Sequence, residues 1–152
     1  MLTLSSIQLT TFLFMTSYVG DTRAQQILNA LISAAERGFR VMVILNYSRF
    51  EPDVAAENYA TAQKLVEGGC EVCLGPPNQT FHTKLCIVDL SQVYFGSHNI
   101  TRGAFSSNRE MSAYTHTLDS AHRASGYFNV LWKNSIAFQH APPPVADWQP
   151  MK

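Results

Sequence analysis

The sequence predicts a single α/β domain whose sheet is built from crossover units, and three observations carry this. The chain has 152 residues with 46% hydrophobic content, enough for one compact core and too short for two ordinary domains. Ile27, Leu28, Leu31, Ile32 and Ala35 recur at the spacing of one helix face. They are followed by Arg40-Val41-Met42-Val43-Ile44-Leu45, a run without alternation that suits a strand buried on both faces. With an apolar strand ahead of the helix, the unit from Ile7 to Leu45 reads as a β-α-β crossover of the kind that builds parallel sheets.

The elements follow in order. Ile7, Leu9, Phe12, Leu13, Phe14 and Met15 make the first strand. The stretch from Leu2 to Val19 is not read as a targeting segment, because no Lys or Arg precedes it and Ser5, Ser6, Gln8, Thr10 and Thr11 interrupt it. Asp21-Thr22 suits a helix cap, with Gln25 placed to complete a capping box, and Gly38 suits the left-handed residue that ends the helix. Asp53 to Glu67 is a second helix ended by Gly68-Gly69, and Cys70 to Leu74 is a short strand. Gly75-Pro76-Pro77-Asn78 breaks the chain into a loop. Gln92 to Phe95 and Met111 to Tyr114 are strand-like, and Asp119 opens a last helix with Ala124, Phe128, Leu131 and Trp132 on one face. The domain is expected over residues 1–137. Residues 138–152, Pro-rich from Ala141-Pro142-Pro143-Pro144, are expected as a poorly structured tail or an arm across a partner.

Composition excludes several classes. Eleven Lys plus Arg balance eleven Asp plus Glu, which argues against a protein that coats nucleic acid by neutralising phosphates. No run reaches the length of a membrane span, so a soluble, cytoplasmic protein without stable membrane association is expected. Three cysteines, Cys70, Cys73 and Cys86, make no disulfide framework. With His82 they superficially suggest a zinc knuckle. Residues three apart on a strand face opposite sides, and the Cys-to-His gap is not a zinc-ligand spacing, so buried apolar packing is the reading and no metal site or cofactor is assigned.

The chemistry-bearing stretch is Phe81 to Asn99, FHTKLCIVDLSQVYFGSHN. Its skeleton is H-x-K, four residues, D, six residues, G-S-x-N. His82 and Lys84, two apart in an extended segment, point to the same face, which sets a nucleophile beside a positive charge. Gly96 allows close backbone approach, and Ser97 and Asn99 supply hydrogen-bond donors. Together these groups suit an anion-sized hole. His98 is read as a variable position that touches substrate, and Arg102 and Arg109 as surface charges near the motif.

This pattern resembles the signature of the phospholipase D superfamily, the HKD phosphodiesterases, and Asn108-Arg109-Glu110 resembles that family's Asn-x-Glu element. The resemblance implies a mixed, largely parallel sheet flanked by helices, and the small single-motif bacterial endonucleases are similar in size. It further implies a metal-independent route through a phosphohistidine on His82, with Glu110 orienting the ring. Lys84, Ser97 and Asn99 would bind phosphate oxygens. Asp89 completes the motif and counts among its catalytic positions, although its distance along a strand suits a structural contact better. Family chemistry needs two facing motifs, and this chain has one without internal repeats. A homodimer completing the site is the simpler expectation, and a second motif on a missing part is the alternative. DNA or RNA is the expected substrate. The alternatives are a lipid phosphodiesterase or phosphatidyl transferase, and a noncatalytic nucleic-acid-binding or dimerisation module.

Overall fold

The computed structural model describes residues 11–16, 19–20, 22–97, 99–101, 109–145 and 148. Its elements are β1 (Thr11–Thr16), β2 (Val19–Gly20), α1 (Thr22–Glu36), β3 (Arg40–Leu45), α2 (Pro52–Glu67), β4 (Glu71–Leu74), β5 (Leu85–Val88), β6 (Gln92–Gly96), β7 (Ile100–Thr101), β8 (Ser112–Thr115), α3 (Leu118–Lys133) and β9 (Ile136–Ala137). The three helices and the longer strands follow the order read from the sequence, while the two-residue strands β2, β7 and β9 were not foreseen. Ile7, Leu9 and Asp21 lie outside the described residues.

Local chemistry explains most boundaries. Gly38 and Gly69 take φ of +89° and +88°, the left-handed conformation that ends a helix without a Cβ penalty. Pro52, which has no N–H to lose, stands at the start of α2. The last helix begins one residue earlier than read, because the Thr117 hydroxyl accepts from the Ser120 N–H at 3.3 Å. The Gln25 side chain donates to Asn29 Oδ1 at 2.9 Å, one turn onward, where the sequence suggested a capping box.

The main sheet runs β8-β6-β5-β1-β3-β4-β9, and β2 pairs with β7 in a small second sheet. The expected mixed sheet is present, but its balance differs from a largely parallel one. Among the described residues only β1–β3 and β3–β4 are parallel in the main sheet, whereas β1–β5, β5–β6, β6–β8 and β4–β9 are antiparallel. A parallel pair needs a long crossover, and α1 and α2 supply one each before β5. The three-residue link from β5 to β6 permits only a hairpin.

Both faces of β3 are buried, as its unbroken apolar run requires. Val41, Val43 and Leu45 pack with Leu28, Leu31, Leu65 and Leu74 under α1 and α2. Met42 and Ile44 pack with Leu85, Ile87, Val93, Ala121 and Phe128 under α3. The two helical layers thus cover opposite faces of the sheet. Cys70 and Cys73 are buried in it, where burial pushes each thiol up to about 11.

The chain beyond residue 137 is not loose at its start. After β9 pairs with β4, the 3-10 turn Phe138–His140 sets the Phe138 ring against Tyr59, and Ala141 is buried. The fully buried Tyr47 donates its hydroxyl to the Pro142 carbonyl and meets Trp148 edge-on, with ring centroids 4.9 Å apart. A buried phenol needs an acceptor, and this segment provides it.

Candidate active site

The site forms where three loops meet. Lys84 directly precedes β5, Gly96 ends β6 with Ser97 just beyond it, and Glu110 precedes β8. The Gly96 N–H donates to the Lys84 carbonyl at 3.3 Å, so the β5–β6 ladder continues into the motif. The Ser97 N–H donates to the Met111 carbonyl at 3.0 Å, and the Met111 N–H returns to Ser97 Oγ at 3.1 Å. The Ser97 hydroxyl also donates to Glu110 Oε2. Gly96 is required by space: a Cβ there would stand 2.2 Å from Ser112 Oγ and 2.5 Å from the Met111 carbonyl oxygen.

Lys84 is buried, 8% exposed, and its ammonium donates to the His82 carbonyl oxygen at 2.7 Å. Burial lowers its pKa below the ordinary lysine value, and the carboxylates of Glu110 and Glu51 act against that shift. The Lys84 ammonium is thus anchored on its own loop and lies in the field of two carboxylates. His82 is exposed beside it, open to a reacting group. Thr83 faces the other way, its hydroxyl 3.3 Å from the Tyr127 hydroxyl on α3, so the expected alternation around Lys84 holds.

Ser97, Glu110 and Lys84 are therefore brought together, with His82 at the rim and half-buried Asn99 two residues beyond Ser97. Glu110, which the resemblance assigns to orienting the His82 ring, accepts a hydrogen bond from the Ser97 hydroxyl. Arg109 is exposed, while His98, Arg102 and Asn108 lie outside the described residues.

Asp89 is corrected. It stands with Leu90 in the β5–β6 turn, exposed, at φ of 53° and 51° respectively. The Ser91 N–H closes this turn on the Val88 carbonyl at 3.1 Å. Five residues of extended chain separate Asp89 from Lys84, roughly 17 Å at the strand rise, too far for it to join the cluster.

Asn46, Ser48 and Glu51 are the residues that sequence reasoning missed. Asn46 is buried at the end of β3; its Oδ1 accepts from the Phe81 N–H at 2.9 Å, and its Nδ2 donates to Glu51 Oε2 at 2.9 Å. Thr80 Oγ1 donates to Ser48 Oγ at 3.0 Å, and the Arg49 N–H to the Pro77 carbonyl at 2.8 Å. One polar loop thus holds the motif segment and places a carboxylate near Lys84. The available signal was Asn-Tyr-Ser directly after a buried strand, at the carboxyl end where open α/β sheets place their sites.

Residues 3–132 match the family model described as cardiolipin synthase, PLD-like domain. The chain belongs to the phospholipase D superfamily. Its fold is similar to that of a phospholipase D family member, Nuc from Salmonella typhimurium, with TM-score 0.71 and 21% identity over 85% of this chain and 82% of that one. NucT from Helicobacter pylori matches with TM-score 0.65 and 21% identity over 84% and 81% of the two chains. Phosphatidylserine synthase from Haemophilus influenzae matches 86% of this chain with 34% of its own, at TM-score 0.67 and 15% identity. At such identities the likeness is one of fold. Among curated proteins no sequence match is found. Within this phospholipase D domain, no helix of the described residues is long and apolar enough to cross a membrane. No group of three or more His, Cys, Asp or Glu able to hold a metal ion occurs among them either.

Proposed function

We propose that this phospholipase D-like chain is a phosphodiesterase that hydrolyses nucleic-acid phosphodiester bonds through a phosphohistidine on His82, in a site completed by a second copy of the chain. The observation that carries the reading is the buried Lys84 ammonium, bonded to the motif loop within the field of Glu51 and Glu110, beside an exposed His82. A phosphodiester resists attack because it is anionic, so a catalyst must hold that charge, supply a nucleophile and protonate the leaving oxygen. One His82 nitrogen attacks phosphorus in line as the P–O bond to the leaving alkoxide breaks. The second copy's His82, protonated, gives its proton to that alkoxide. Water then attacks the phosphorus, its proton passing to the same imidazole, and the P–N bond breaks as the new P–O bond forms, which frees the first His82 and a phosphate monoester. Lys84 and Asn99 from both copies hold the non-bridging oxygens without a divalent metal. Glu110 fixes the His82 tautomer, and Ser97 fixes Glu110.

The homodimer rests on the single motif, because one chain supplies one nucleophile and no general acid of the same type. The test is hydrolysis of a chromogenic phosphodiester in excess EDTA by wild type and His82→Ala, with the molecular mass measured alongside. Turnover by a dimer that survives EDTA and disappears in the variant supports the reading. Turnover that His82→Ala retains sinks it. A lipid phosphodiesterase is the second reading, favoured by the cardiolipin synthase family model. Release of headgroup from phospholipid vesicles, with no cleavage of DNA or RNA, would select it.

A further inference from the structure

Beyond the anion site, the sheet presents an aromatic row that the chemistry above does not use. Tyr94 on β6 and Tyr114 on β8 are cross-strand partners, about half exposed, with ring centroids 4.6 Å apart. The His116 ring continues the row, stacked on Tyr114 at 6.0 Å. The Gly96–Ser112 pair of the anion site lies two residues away along the same ladder, about 7 Å at the strand rise. By that two-residue alternation the row shares its sheet face with Gly96, opposite the face on which Val93 packs against α3. The α1 and α2 layer packs on β3 and β4, and among the described residues Tyr94 and Tyr114 remain about half exposed at this end of the face.

We propose that Tyr94, Tyr114 and His116 form a stacking platform for unpaired bases, so that the substrate is single-stranded nucleic acid running from the Lys84 site along β6 and β8. The inference rests on the nuclease reading and narrows it. The rings are phenols and an imidazole, flat apolar faces with wet edges, as a base needs, rather than the aliphatic surface that a lipid chain prefers. The Tyr114 hydroxyl donates to Gln92 Oε1 at 3.3 Å, which holds one ring of the platform in place. The balance of charge fits as well: with eleven cations against eleven anions the chain has no net excess of positive charge to draw in a polyanion, and stacking adds affinity to what Lys84 supplies. Duplex DNA keeps its base faces covered and gains nothing from the row.

The full chain is tested with a short fluorescein-labelled single-stranded oligodeoxynucleotide and with the chromogenic diester, which carries no base. For Tyr94→Val/Tyr114→Val, which keeps strand-forming residues, the ratio of oligonucleotide to diester kcat/KM falls by about ten-fold or more, mainly through KM. Tyr94→Phe/Tyr114→Phe keeps the ratio. In wild type, unlabelled single strand competes and a duplex of the same sequence does not, a measurement that holds even if the valine pair fails to fold. An unchanged ratio in the valine pair, or equal competition by duplex, overturns the platform. A change of molecular mass in the valine pair makes the row an interface between copies and also overturns it. Wild type that turns over the diester but neither binds nor cleaves the oligonucleotide overturns the nuclease reading itself, a result distinct from the other three.

Discussion

The Lys84 ammonium donates to the carbonyl oxygen of His82 at 2.7 Å, so the motif's cation is held by the backbone of the residue proposed as nucleophile. The two cannot drift apart without breaking a charge-assisted, partly buried hydrogen bond. His82 presents its ring outward from the same loop that carries the charge.

This geometry sets a pH dependence. Burial lowers the Lys84 pKa, and the groups that face it, Glu110 and Glu51, pull the other way. The ammonium form prevails below that pKa, so activity falls as pH rises through it, at lower pH than for an ordinary lysine. Glu51→Gln removes one opposing charge and moves this basic limb to still lower pH, read from kcat/KM for the chromogenic diester. Because the unfolded chain holds the Lys84 proton to higher pH than the folded one, the same group makes stability rise with pH across that window.

Asn46 ties the motif segment to the end of β3. Asn46→Ala orphans the Phe81 N–H in a buried place, with a cost of about 1–3 kcal/mol. Urea unfolding reads that loss. Turnover should fall further than stability explains, because His82 is the next residue and Glu51 loses its hydrogen bond.

Two glycines make opposite predictions. Gly96→Ala drives a methyl into Ser112 and the Met111 backbone, so the β6–β8 pairing spreads at a cost of about 1–3 kcal/mol and activity is lost. Gly126 lies inside α3, and a Cβ added there meets nothing within 4 Å. Gly126→Ala raises stability by about 0.5–1 kcal/mol, seen as a higher midpoint in the same unfolding experiment.

The β5–β6 turn separates a structural role from a chemical one for Asp89. Asp89→Asn keeps a side chain suited to positive φ and keeps diester turnover. Leu90→Gly relieves a left-handed leucine and stabilises the fold by about 1 kcal/mol. Loss of turnover in Asp89→Asn would return Asp89 to the chemistry.

The C-terminal segment is a stabilising strap. Burial, with Tyr59 adding to it, raises the Tyr47 pKa to about 12, and Trp148 and Pro142 provide its cover and its acceptor. Trp148→Ala should cost about 1–3 kcal/mol through lost aromatic packing, read by thermal or urea unfolding.

The sequence by itself determined one α/β domain and the order of its helices and longer strands, and it set His82, Lys84, Ser97 and Asn99 in one motif, because periodicity, caps and motif spacing are written within short windows. Only the tertiary structure decided what those residues meet. It carried Asp89 to the far turn of a hairpin and made most strand pairings of the main sheet antiparallel. It also brought Asn46 and Glu51 from the end of β3 to the motif loop, across 35 residues of chain in the bond from Phe81 to Asn46. The strap shows the same limit: Tyr47 and Pro142 are 95 residues apart, and a Pro-rich stretch looks loose until a buried phenol is known to need its carbonyl. A buried polar group must find a partner, and which partner it finds depends on packing between distant segments that no local pattern records.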